Sequence, residues 1–457
     1  MPPHLQRVLR IACVVLFGLD LALFVHALFS FNDVQRGDFR LDPDVGKSTV
    51  ELGRARGYVV ETHNVTTADG YVLIMHRLPQ SYDESQASMD VVNSSTLLDD
   101  KAGRQSTKPV VLVQHGMVAS SFSWVCDSRN HSLAYVLADA GYDVWLGNNR
   151  GNRYSNGHME FTTEDSAFWD FSWEDMGKFD MPAMIDYALA TSQQETLSFV
   201  GYSQGALQAF VAFAENQTLA RSVSYFAALG PVAYMGHIES EEFQLLARTY
   251  ADKFLGVSGQ DEFFSGSTLL QNVIAPTACN MDPQLCASGF AILAKSTENL
   301  NSSRIGVYLS DVPSGTSVKS FRHYAQLVRA NTFAAFDYGC SCPSVLGVKL
   351  CPERLCPNKV KYGSIDPPAF HLSSMRYPRI GLFTGGNDIF ATSADIDQLR
   401  EALPSGTIVY DEEVSSFGHL DFTWAIQANE ELYQPMIEQL NQYADTGYKH
   451  RKENEER

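Results

Sequence analysis

The stretch Ser198-Phe199-Val200-Gly201-Tyr202-Ser203-Gln204-Gly205 constrains this chain more than any other. An apolar run of strand type breaks at G-x-S-x-G, and residues 206–213 continue it with small and apolar side chains at helical spacing. A serine at so sharp a strand-to-helix turn sits on strained backbone. Gly201 and Gly205 must then lack a Cβ, because helix and strand approach each other there. The motif alone recurs by chance, and a glycine-rich turn is its bland alternative. Its meaning depends on what surrounds it.

What surrounds it reads as a parallel α/β sheet. Residues 57–66 and 70–78 form a hairpin through Asp69-Gly70, and the polar, acidic, aperiodic residues 81–108 read as a solvated loop. The β-branched run 109–117 is a buried parallel strand ending in His115-Gly116. A helix over 132–140, a strand over 142–148, a Gly/Asn-rich turn over 149–155, a helix over 180–191 and a strand over 223–229 follow. Strands alternating with helices at this spacing build a doubly covered, mostly parallel sheet. Between residues 232 and 368 helical segments and paired cysteines replace the alternation, which reads as a cap inserted after the fifth or sixth strand. The sheet resumes with strands at 379–388 and 407–411.

Two more side chains then fall at the carboxyl edge of that sheet. Asp388 closes Gly385-Gly386-Asn387-Asp388, and His419 stands in the loop 415–422. In isolation Asp388 is a strand-terminating turn residue and His419 a hydrogen-bonded loop histidine. Together, in the chain order Ser203, Asp388, His419, they match the triad order of an α/β-hydrolase. A serine hydroxyl needs a base, and an imidazole titrates near the working range. A carboxylate holds that imidazole in one tautomer and stabilises the imidazolium. Two backbone N–H groups must meet the oxyanion: Gln204 follows the nucleophile, and Met117 follows His115-Gly116. His115 itself reads as structural, and Asp421 as a brace for the histidine loop.

Composition narrows the setting. A net charge of −19 argues against nucleic acid as a partner. Basic residues precede an apolar run over 11–31 with a small-residue site at Val25-His26-Ala27, which reads as a cleaved signal peptide. An uncleaved membrane anchor over 11–31 is the alternative, disfavoured because Asp20 at mid-span costs about 3 kcal/mol. Sequons at Asn64, Asn93, Asn130, Asn216 and Asn301 agree with a luminal or extracellular chain. Seven cysteines remain after Cys13, an odd number that leaves one thiol free, with isolated Cys126 the candidate. Cys279 and Cys286 are close enough for a local disulfide. Cys340, Cys342, Cys351 and Cys356 are expected as two disulfides with connectivity open, zinc being the less favoured alternative in an oxidising compartment.

Gln114-His115-Gly116, the run from Gly141 to Asn152, residues 168–173, Gly201-Tyr202-Ser203-Gln204-Gly205, Gly385-Gly386-Asn387-Asp388 and His419-Leu420-Asp421-Phe422 resemble the acid lipase family, the group of lysosomal acid lipase and gastric lipase. The resemblance covers residues 57–424. It implies an α/β-hydrolase core with a helical cap, Ser203, Asp388 and His419 as nucleophile, acid and base, Met117 and Gln204 as oxyanion donors, no cofactor or metal, and triacylglycerols or cholesteryl esters as substrates. Tyr202 stands where the family usually has His, Met117 where it has Leu, and Gly418 where it has Asn, the last expected to loosen the histidine loop. The segment 340–356 and the loop 81–108 look like additions to the family pattern.

The expected organisation is a signal peptide or anchor at 1–31, core at 32–231, cap at 232–368, core at 369–448 and a solvated charged tail at 449–457. The expected function is a secreted or luminal serine ester hydrolase acting on neutral lipid at a lipid–water interface. An acyltransferase using the same triad, and a catalytically silent lipid-binding protein on this fold, are the alternatives.

Overall fold

The computed structural model describes residues 42–94, 108–250, 252, 261–263, 299–342, 344–345, 348–349 and 351–444. The expected signal segment, the Cys279–Cys286 pair and the charged tail lie outside the described residues. Nine strands among the described residues join one sheet: β1 (Glu61–Thr66), β2 (Tyr71–Leu78), β3 (Val110–Gln114), β4 (Asp143–Leu146), β5 (Gly157–His158), β6 (Leu197–Tyr202), β7 (Val223–Leu229), β8 (Arg379–Gly385) and β9 (Ile408–Val414). Their order is β1-β2-β4-β3-β6-β7-β8-β9, with the short β5 added on β2. β3, β4, β6, β7, β8 and β9 run parallel, while β1 and β2 are antiparallel.

Every residue of β3, β4, β6 and β7 is buried, which is why these strands read as continuous apolar runs rather than as alternation. Side chains of period two divide between two layers. Leu112, Trp145, Phe199 and Phe226 pack on one face, Val111, Val113, Val144 and Tyr225 on the other. Edge strand β9 instead alternates between half-buried and exposed positions over most of its length.

Helices cover both faces: α1 (Tyr82–Ser94), α2 (Leu133–Asp139), α3 (Met181–Ser192), α4 (Gln204–Glu215), α5 (Glu241–Arg248), α6 (Val318–Ala330), α7 (Pro357–Tyr362) and α8 (Gln434–Tyr443). The first of these corrects the sequence reading, which expected a solvated loop from Ser81 onward. Ser81-Tyr82-Asp83-Glu84 is a capping box: the Glu84 carboxylate accepts the Ser81 N–H at 2.8 Å and the Ser81 hydroxyl accepts the Glu84 N–H at 3.4 Å. Arg129 stacks 3.5 Å over the Tyr82 ring, and Lys108 pairs with Glu84, so the helix is tied to the body at its first turn. Weak amphipathicity hid it.

The segment that interrupts the alternation follows β7, the sixth of the longer strands. Its cysteines pair Cys340–Cys356 and Cys342–Cys351, which resolves the open connectivity and uses the sulfurs that zinc would need. Cys126 is free and buried, as its isolation suggested.

Candidate active site

The elbow is built from three neighbouring strands. Ser203 closes β6 with φ 53° and ψ −114°, a left-handed backbone that a non-glycine residue adopts only under constraint. The constraint is visible: its N–H donates to Leu229 O on β7 at 2.9 Å, while its carbonyl accepts from Ala206 and Leu207 at the start of α4. A Cβ at Gly205 would stand 2.4 Å from the Gln114 carbonyl, and one at Gly201 2.8 Å from the Gly205 backbone. Both glycines are therefore required by backbone approach.

Loops leaving β8 and β9 bring the other two groups to Ser203. His419 Nε2 lies 2.8 Å from Ser203 Oγ, and His419 Nδ1 lies 2.8 Å from Asp388 Oδ2. Because an ionised carboxylate only accepts, Nδ1 carries the proton and Nε2 is left as the acceptor for the serine hydroxyl. Asp388 is fixed in turn by N–H donors from Phe390 and Ala391 to its Oδ1 at 2.8 and 2.9 Å. All three side chains are buried, with Ser203 8% and His419 7% exposed.

The histidine loop is held from two sides. Asp421 Oδ2 accepts the Gly418 N–H at 2.7 Å and the Asn299 amide at 3.0 Å, so the brace expected of Asp421 is in place at the glycine expected to loosen the loop. Tyr202 adds a contact that its position before the nucleophile did not announce: its hydroxyl donates to the His419 carbonyl at 2.6 Å.

Met117 lines the cavity in front of Ser203, and Gln204 begins α4 with its N–H at the open end of the helix. The Gln204 side chain is taken by Tyr324 of α6, whose hydroxyl donates to Oε1 at 3.1 Å. His115 lies beneath the same turn. Its Nε2 accepts from the Asn149 N–H at 3.2 Å, which places the proton on Nδ1, 2.7 Å from the Gly116 carbonyl. It shapes the turn and does not reach the serine. The cavity above is lined mainly by apolar side chains, among them Met117, Val232, Met235, Phe243, Phe390 and Trp424.

A buried ion cluster under the site went unread in the sequence. Arg150, 1% exposed, donates to Asp69 at 2.7 and 2.9 Å and to Asp180 at 2.8 Å, with the Tyr71 ring 3.8 Å away. The arginine stood in a turn already singled out, but its partners come from a hairpin and from the residue before α3, and no spacing rule joins them.

Three buried histidines make the fold less stable as the pH falls. Burial pushes His115 and His76 down to about 4 and His323 down to about 3, from an ordinary 6.5. Between pH 6.5 and 4 the unfolded chain therefore binds more protons at these sites, and stability present above pH 6.5 is lost as pH falls. Asp180, held at about 6 by burial against the pull of Arg150, works in the opposite sense. His115→Gln should flatten the stability–pH curve by up to about 1.4 kcal/mol per pH unit in that window. Urea unfolding of both proteins at several pH values would read it, and parallel curves would refute it.

This sheet order, with the serine at the β6–α4 elbow and an acid and a histidine after β8 and β9, defines an α/β-hydrolase fold. The model for the α/β hydrolase fold matches residues 109–425, and that for a partial α/β-hydrolase lipase region matches residues 49–128. Mouse lipase member K is 34% identical over 404 residues, covering 88% of this chain and 92% of that protein. Human gastric triacylglycerol lipase is 32% identical over 405 residues, covering 88% and 92%. Human lysosomal acid lipase/cholesteryl ester hydrolase is 32% identical over 411 residues, covering 88% and 93%. The chain belongs to the α/β-hydrolase lipases, the family of gastric and lysosomal acid lipases.

Proposed function

We propose that this chain hydrolyses neutral lipid esters, with Ser203 as nucleophile, His419 as base and then acid, and Asp388 as the group that orients His419. The observation that carries this is the continuous line of hydrogen bonds from Asp388 through His419 to Ser203 at the floor of an apolar cavity. As Ser203 Oγ bonds to the ester carbonyl carbon, its proton passes to His419 Nε2, and the Met117 and Gln204 N–H groups meet the oxygen that becomes negative. Collapse breaks the bond to the alcohol, which leaves with the proton from Nε2. Water, deprotonated by the same nitrogen, attacks the acyl-enzyme carbonyl and releases the fatty acid.

Residues 232–368 act as the cap: Met235, Phe243 and Tyr324 reach the cavity from this segment and supply the apolar wall that an acyl chain needs. Triacylglycerols and sterol esters are the substrate class, in keeping with the names of the gastric and lysosomal relatives. A secreted or luminal chain fits the two disulfides and the exposed sequon residues Asn64, Asn130 and Asn216. No helix among the described residues is long and apolar enough to cross a membrane.

A serine-directed fluorophosphonate should label the purified protein once, and Ser203→Ala should abolish the label together with fatty-acid release from emulsified trioleoylglycerol or cholesteryl oleate. Labelling that survives the substitution would move the nucleophile elsewhere, and a labelled protein that releases no fatty acid would remove the lipid substrate.

A further inference from the structure

We propose that the disulfide-held segment from Cys351 to Ile365, a knob on the outside of the protein, docks it on an anionic phospholipid surface. The knob is a built element. Two nested disulfides close it, Ser341 donates to the Leu355 carbonyl at 2.7 Å, and the Asn358 amide donates to the Ile365 carbonyl at 2.7 Å. The Tyr362 hydroxyl ties it to the Phe336 carbonyl at 2.8 Å.

Its outside is apolar and basic at once. Of the eight exposed large hydrophobic residues among those described, three fall within the knob: Leu355, Val360 and Ile365, the last two 69% and 45% exposed. Arg354, Lys359 and Lys361 stand exposed beside them along the chain, three cations against the single Glu353 of the segment, with Asp366 at its border, in a chain of net charge −19. The Lys359 ammonium donates to the Cys351 carbonyl, and the Lys361 ammonium lies 5.9 Å from the Tyr338 ring centroid, so both charges remain available to an anion. Exposed aliphatic side chains among cations on a disulfide-held segment match a membrane whose headgroups are negative and whose interior is hydrocarbon. The remainder of the protein is acidic and would be repelled by the same surface, which makes the knob the part that faces it.

The inference does not depend on the catalytic reading, and its test needs no turnover. Full-length protein with its disulfides intact should co-sediment with vesicles of phosphatidylcholine mixed with phosphatidylserine and far less with phosphatidylcholine alone. Lys359→Gln/Lys361→Gln should lower the partition onto the mixed vesicles about 25-fold, near fivefold for each charge removed, and 0.5 M salt should do much the same to wild type. Val360→Ser should weaken binding several-fold without altering the salt response. An unchanged melting midpoint and unchanged hydrolysis of a water-soluble short-chain ester would show that the variants are folded. Equal binding to both vesicle types, or a lysine variant that binds like wild type, would overturn the proposal. Retention on immobilised polyglutamate with none on vesicles would also overturn it, in favour of an acidic protein partner.

Discussion

Ser203→Ala is expected to lower kcat on an emulsified ester by about 10⁶-fold while leaving KM within a few-fold, because the triad acts as a unit and losing its nucleophile removes the acyl-enzyme route. The fold should survive. The hydroxyl makes one hydrogen bond, to His419, while the strained backbone is held by Leu229, Ala206 and Leu207 through main-chain groups that alanine keeps. Asp388→Asn tests the same geometry from the far end: it favours the wrong tautomer of His419 and should cost about 10⁴-fold in kcat. Initial rates with purified variants of matched melting temperature decide the matter. A Ser203→Ala protein retaining more than a trace of wild-type kcat would place the chemistry on another residue.

Arg150→Ala should be the most damaging single change away from the reacting atoms, destabilising the protein by about 3–5 kcal/mol. It strands Asp180, which is fully buried, and leaves Asp69 without its bidentate partner. The stranded Asp180 can escape its charge only by taking a proton. With Arg150 present burial already holds it at about 6, and without the guanidinium it moves higher. The loss should therefore be larger at pH 8 than at pH 5, which urea unfolding at the two values would measure. Arg150→Met/Asp180→Leu should recover part of the stability, since an apolar pair of similar volume carries no unpaired charge. Activity should fall in the single variant as well, because Asn149, next in chain to Arg150, donates to His115 under the turn proposed to hold the oxyanion. Equal losses at both pH values would mean that the cluster is not held by charge.

How much of this was legible before the structure follows from where the information lies. The elbow was legible because a serine between two glycines, after a buried strand and before a helix, leaves the backbone little choice. Asp388 and His419 were legible through chain order and position at strand ends. The helix Tyr82–Ser94 was missed because polar, acidic residues without a strong apolar stripe read as a loop, and the capping box of Ser81 and Glu84 went unread. Pairing of Cys340 with Cys356 and Cys342 with Cys351 was out of reach, since three connectivities satisfy the same spacing.

From the sequence alone came those features that depend on neighbours along the chain: the alternation of strands and helices, the strained serine turn, the odd thiol at Cys126. Tertiary structure alone decided what joins residues far apart, such as Arg150 with Asp69 and Asp180, Tyr202 with the His419 carbonyl, and Tyr324 with Gln204. The physical reason is that local periodicity reports which face of an element is buried. Which polar group a buried side chain meets depends on how the elements are stacked, and hydrogen-bonding groups of many residue types could have filled each of those places.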